Sequence, residues 1–268
     1  MFMMIDKLKE KIMQPQPLLD EEIEFMLEHL GDENPRIRDE LIYGLFCISF
    51  ETEMISKEQM KGIIKHLFQQ NVLLQDIEHL DIDTTLTRSY GALLWALILF
   101  YDNEKTSLYY KILLRKEREK LFELALYHIA NEKDHTGYLK PYGWIHTIAH
   151  ASELLLAMVK HQDMRKDVVN LMLRGIYKMF IKQKEIFRDK EEKRIGLVIV
   201  EMLKRKQVSM SQLINWIDQL QEHYATDNLI EVKDFRSKEN VVNMLNYMVL
   251  FMEEDALLKE RIKAFNRI

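Results

Sequence analysis

Apolar residues recur at three- and four-residue intervals along almost the whole chain, and no sustained run alternates apolar with polar, so the pattern predicts helices and no sheet. About a dozen helical segments follow from this period. The first begins after Asp20, a fitting N-cap, and sets Ile23, Met26, Leu27 and Leu30 on one stripe ahead of Gly31. The next opens at Asn34-Pro35, where Asn34 caps and the proline takes the first helical position, and it runs to about Phe50.

A short helix, a turn near Gly31 and Pro35, and a second helix with arginine and aspartate early resemble a HEAT-type repeat, in which paired helices stack side by side. Further pairs are predicted: Ser56 to Gln69 with Thr84 to Tyr101, Ser107 to Asn131 with Trp144 to His161, Asp167 to Lys182 with Lys193 to Lys206, and Ser209 to Tyr224 with Glu239 to Glu254. A terminal helix covers Ala256 to Phe265. Their spacing is irregular, which makes the repeats degenerate. No Pro-, Gly- or Ser-rich linker interrupts the series, so residues 1–268 are expected to form a single all-α domain, an α-α superhelix.

Composition agrees with this class. Only 8 Gly and 4 Pro among 268 residues leave few turn formers for a strand-rich fold. Cys47 is the single cysteine, so no intramolecular disulfide and no CxxC motif exists, which fits a reducing, cytoplasmic setting. The opening Met1-Phe2-Met3-Met4-Ile5 meets Asp6, Lys7, Lys9 and Glu10 without a long apolar core, unlike a signal peptide. The longest apolar run, Ala92 to Tyr101, is about half of what a membrane span requires. A net charge of -5 argues against a nucleic-acid partner. The mixed-sign runs Arg115 to Lys120 and Lys182 to Arg194 are expected to be solvated helix faces.

Candidate chemistry concentrates in Gly143-Trp144-Ile145-His146-Thr147-Ile148-Ala149-His150-Ala151-Ser152-Glu153. On a helix from Trp144 to His161, His146, His150 and Glu153 fall within about 60° of one another. The apolar Trp144, Ile148, Leu154, Leu155, Met158 and Val159 lie opposite, which makes Trp144 a core anchor. Two histidines at i,i+4 with an acid three residues on can hold a divalent metal if another element adds a ligand. They can equally bind an anion, act as acid and base, or belong to an ordinary solvated face.

Upstream, Glu132 to Tyr142 is a turn-rich loop that sets Asp134 and His135 beside the same helix. Arg88, leading into the apolar helix Gly91 to Tyr101, requires a carboxylate, Asp83 or one on a neighbouring helix, or an anionic ligand. Asp81-x-Asp83-x-Thr85 looks like a dehalogenase-type nucleophile motif, but no alternating strand and helix surround it, so Asp83 is assigned as a helix cap. Cys47, among Leu45, Phe46 and Ile48, is expected to be a small core residue. Walker, GxGxxG, GxSxG and HExxH motifs are absent.

Arg38-Asp39-Glu40-Leu41, Asp83-x-x-x-x-Arg88-Ser89, Asp134-x-x-Gly137-Tyr138 and Gly143-Trp144-x-His146-x-x-Ala149-His150-Ala151-x-Glu153-Leu154-Leu155 together resemble an uncharacterised bacterial family known only as a domain of unknown function. The resemblance spans roughly residues 36 to 160. It implies a helical protein without assigned activity and ties the polar positions into one pattern. This chain has Thr136 where that family usually carries arginine, and Glu153 where it carries aspartate. The expectation is a polar groove formed by Arg88, Asp134, His146, His150 and Glu153 that takes a small ligand or a protein segment. The alternative is an enzyme using His146 and His150, with a divalent metal on His146, His150 and Glu153 as one version.

Overall fold

A computed structural model describes residues 2–225, 230–252 and 256–266. The described residues are mainly helical with almost no sheet, and the all-α expectation holds. In order they form α1 (Phe2–Met13), α2 (Asp20–Glu28), a π-helical segment (Arg36–Tyr43) running into α3 (Gly44–Glu51), α4 (Lys57–Gln69), α5 (Ile82–Asn103) and α6 (Arg115–Asn131). A two-stranded hairpin follows, β1 (Tyr138–Leu139) and β2 (Gly143–Trp144). Then come α7 (Thr147–Lys160), α8 (Lys166–Lys182), α9 (Glu191–Lys204), α10 (Met210–His223), α11 (Val232–Val249) and α12 (Ala256–Asn266). The expected helix end at 253–254 lies outside the described residues.

Local chemistry sets the boundaries. Ser56 caps α4 by accepting from Gln59 N, while Gln59 Oε1 accepts from Ser56 N, and Met60, Ile63, Ile64 and Leu67 then recur at helical spacing into the core. At the head of α5 the cap is Asp81, whose carboxylate accepts from Thr84 N at 3.0 Å, not Asp83, which sits in the first turn. Asn34 accepts from Arg36 N as expected, but the segment it opens is wound as a π-helix. The helix α1 was not anticipated, although Ile5 and Leu8 sit in its buried stripe.

Helices α5, α7, α9 and α11 pack successively on one another, with α6 against α7 and α8, and α12 against α10 and α11. One buried apolar cluster runs from Ile5 to Phe265. Among the described residues no helix is long and apolar enough to cross a membrane.

The charge-rich runs are less solvated than their composition suggests. Arg118 reaches inward to Asp102 at 2.8 Å, and Glu191 and Glu192 are buried. Asp102 also accepts from Leu113 N and from His161 Nε2, which neutralises a carboxylate that has no exposure. Cys47 is half-buried against Tyr43, and burial raises its thiol pKa.

Candidate functional site

The predicted helical face breaks at its first residue. Helix α7 begins at Thr147, and Gly143-Trp144 belongs to the hairpin that precedes it. His146 is the N-cap, in the left-handed region at φ 51°, where a non-glycine residue is uncommon. Its carbonyl accepts from His150 N at 2.8 Å, so the four-residue spacing still brings the two imidazoles together, with ring centroids 5.6 Å apart.

The hairpin is clamped from both sides. Arg38 is fully buried and donates from Nη2 to the carbonyls of Tyr142 at 2.8 Å and Trp144 at 3.2 Å, and from Nη1 to Asp32 O at 2.7 Å. Its guanidinium also lies 4.7 Å over the Tyr90 ring. On the other side Asp189 accepts from Tyr138 N, and Gly137 approaches Asp189 and Glu191 so closely that a Cβ there would stand 2.1 and 2.5 Å from their oxygens. Gly143 has φ 76° and packs on Pro35, two reasons for glycine at that position. Thus the Gly-Trp element reads as a hairpin corner.

Trp144 is not a core anchor. It is 44% exposed and stacks on His146 with centroids 4.4 Å apart and planes 6° from parallel, because β2 turns its ring outward over the start of α7. The core positions opposite, Ile148, Leu154, Leu155, Met158 and Val159, are buried as expected.

Each imidazole is oriented by a second group. Ser89 Oγ lies 2.5 Å from the Ile145 carbonyl and 2.7 Å from His150 Nδ1. A carbonyl only accepts, so the single hydroxyl proton goes to Ile145, and His150 must then donate from Nδ1 to the serine oxygen. That leaves a lone pair on His150 Nε2. Burial, with the neighbouring His146, Arg194 and Arg38 charges, pulls the His150 pKa well below the ordinary histidine value, which keeps the ring neutral. His146 Nδ1 faces the buried Glu191 carboxylate at 3.2 Å, which fixes its proton on Nδ1 in the same way.

Both rings line a groove of ≈ 530 Å³ between α5 and α7. Leu93, Leu97, Phe100 and Leu156 supply an apolar wall, Tyr43 closes one side, and Glu153 pairs with Arg194 at the rim. Among the described residues no group of three or more His, Cys, Asp or Glu side chains is arranged to hold a metal ion. A larger cavity of ≈ 1290 Å³ opens near Lys166, Lys204 and Phe251, and its described lining contains no histidine.

Arg88 does not reach this groove. It is fully buried and grips Glu132, not Asp83, with Nε at 2.7 Å and Nη2 at 2.8 Å, while Nη1 donates to Gln75 O. Next to it on α5, the buried Ser89 faces His150 from behind, so the helix turn that brings the serine to the imidazole sends the arginine to Glu132. Asp134 likewise serves the loop: it accepts from Thr136 N, its amide donates to Glu132, and its carbonyl accepts from the Thr147 hydroxyl. His135 bridges Glu132 O and Gln183. Arg88, Glu132 and Asp134 therefore form a chain of contacts that leads to the first turn of α7, behind the site.

Sequence reasoning missed Glu191, Arg194 and Tyr43 and did not assign Ser89 a role. Ser89 stood in the Asp83-x-x-x-x-Arg88-Ser89 motif and was in reach. Glu191 is 45 residues from His146, inside a run whose mixed charges resemble a solvated face, and no local signal marks it.

One family model matches residues 73–252 of the chain. This is a different span from roughly 36 to 160, and it leaves Arg38-Asp39-Glu40-Leu41 outside. No curated protein and no solved structure matches.

Proposed function

The chain belongs to the family described as Protein of unknown function (DUF2785), so kinship supplies no activity, and from the groove we propose a small-molecule-binding protein. The ligand has an apolar body against Leu93, Leu97 and Phe100 and a hydrogen-bond-donating head seated on His150 and His146. The observation that carries this reading is the Ser89 hydroxyl, whose commitment to Ile145 O fixes the His150 proton on Nδ1 and leaves Nε2 as an acceptor. A volume of ≈ 530 Å³ suits a small molecule better than a folded segment. The Glu153–Arg194 pair at the rim offers no net basic track for nucleic acid.

A second reading, an acid–base enzyme, is favoured by one contact, Glu191 behind His146, which orients the ring and fixes its tautomer. The successive packing of α5, α7, α9 and α11, with α6 on α8, supports an α-α superhelical stack in a single domain. The lone Cys47 supports a reducing cytoplasmic setting.

Ligand-observed NMR with small cyclic alcohols, phenols and amides tests the binding reading. Fragments are expected to bind, and His150→Phe is expected to weaken them at least about ten-fold, equivalent to about 1.4 kcal/mol. Fragments that bind equally well to the variant, or none that bind at all, would count against the reading.

A further inference from the structure

We propose that the ligand of the α5–α7 groove is an elongated amphipathic carboxylate, whose acid group sits on Lys160 at the end of the groove opposite the imidazoles. This rests on the groove reading and names the class of molecule the groove takes.

The groove has two distinct ends. At one, Ser89 of α5 meets His150 of α7; at the other, Asn103 of α5 donates to the Lys160 carbonyl at 3.4 Å. The two helices therefore run in the same direction with the groove between them, and both His150 and Lys160 line it. The helical rise from His150 to Lys160 along α7 is about 15 Å. That length suits a chain better than a compact ring.

Between the ends the walls are apolar. Leu97, Phe100 and Leu156 continue toward Lys160, with the small side chains of Ala96 and Ala157 between them. Phe100 is 55% exposed, and a hydrocarbon chain lying in the groove would take that ring surface out of water.

Charge selects the acid. Among the lining groups, Glu153 and Arg194 neutralise each other, His146 faces the Glu191 carboxylate, and His150 is held neutral. Lys160 forms no ion pair among the described residues, so it is the lining charge left without a counter-ion. Its four-carbon stem can follow the apolar wall while the ammonium meets a carboxylate.

The test is isothermal titration of the full-length protein with acids running from ω-hydroxycaproate to ω-hydroxypalmitate, each below its micelle concentration, beside their methyl esters. Affinity is expected to rise about two- to four-fold per methylene until the chain spans the groove, then to level off. Acids should bind better than esters at low salt. That preference should be lost or reversed in Lys160→Glu, with acid affinity falling about five-fold or more. The same charge change at an exposed position of α4, Lys61→Glu, should alter neither. Only the carbonyl of Lys160 joins the packing, accepting from Asn103 and Arg205, so side-chain variants there keep the fold. Affinity independent of chain length, equal binding of acid and ester, or an acid preference that survives in Lys160→Glu overturns the proposal. Neutral phenols and amides that still bind then leave the groove reading standing, whereas acids weakened by Lys160→Glu but not by His150→Phe remove its imidazole head and keep the carboxylate end.

Discussion

Replacing Arg88 by methionine removes a charge from the core and leaves its partner behind. Glu132 is 2% exposed and accepts from Arg88 Nε and Nη2, His128 Nε2, and the amides of Lys133 and Asp134. Two charge-assisted hydrogen bonds at about 1.5–3 kcal/mol each bound the loss near 3–6 kcal/mol. Stranding one member of a buried pair costs about 3–5 kcal/mol. The two backbone amides and His128 stay in place, so the lower part of that overlap, about 3–4 kcal/mol, is expected.

Acid distinguishes this account from simple loss of packing. Burial alone would raise the Glu132 pKa, but hydrogen bonds and charge from His128 and Arg88 overcome it and hold the carboxyl well below the usual range. A depressed carboxylate contributes stability that is complete above the unfolded value, near pH 4.3, and is lost as pH falls toward the folded one. In Arg88→Met part of that support is gone. The stability deficit should therefore be largest at neutral pH and shrink on acidification below about pH 4. Urea denaturation of both proteins at a series of pH values measures it, and Arg88→Met with Glu132→Gln should recover much of the loss by removing the stranded charge. A deficit under about 1 kcal/mol at pH 7, or one that grows with acid, would refute the reasoning.

Two further outcomes follow from the groove's supports. Gly137→Ala drives a methyl into the Asp189 and Glu191 carboxylates, so a stability loss of about 1–3 kcal/mol and a changed His146 ring ¹⁵N spectrum are expected; an unchanged spectrum argues against the clamp. Ser89→Ala removes the acceptor for His150 Nδ1 at a cost of about 1 kcal/mol and should shift that ring toward the other tautomer. Long-range ¹H–¹⁵N spectra that show the same tautomer in both proteins would contradict the assignment.

Helical period carried most of the fold, because α4, α5, α8 and α9 each bury a stripe that the spacing of Met, Ile, Leu and Val already marks. The start of α7 was misplaced because Gly143-Trp144 pairs with Tyr138-Leu139 over only two residues, too short for an alternating pattern. The turn residues Gly137, Pro141 and Gly143 were the available signal. His146 and His150 were legible as a pair, since an N-cap and the residue four positions later stay adjacent whether or not the first is helical. Their orienting groups were not: Glu191 and Ser89 reach them through tertiary packing, and Arg88 was set in the groove because sequence could not choose between an anionic ligand, Asp83 and a carboxylate on a neighbouring helix, which proved to be Glu132, 44 residues away.

Arg38 bears on how this protein should be cut. The family match begins at residue 73, yet the guanidinium that ties down the carbonyls of Tyr142 and Trp144 comes from residue 38. A fragment trimmed to residues 73–252 would keep both histidines and Glu191 while stripping two acceptors of their donor and Gly143 of the Pro35 surface it rests on. The stretch over which homology is detectable is thus shorter than the stretch that mechanically supports the groove. Expression boundaries are better drawn to retain the α2-to-α3 segment than to follow the match.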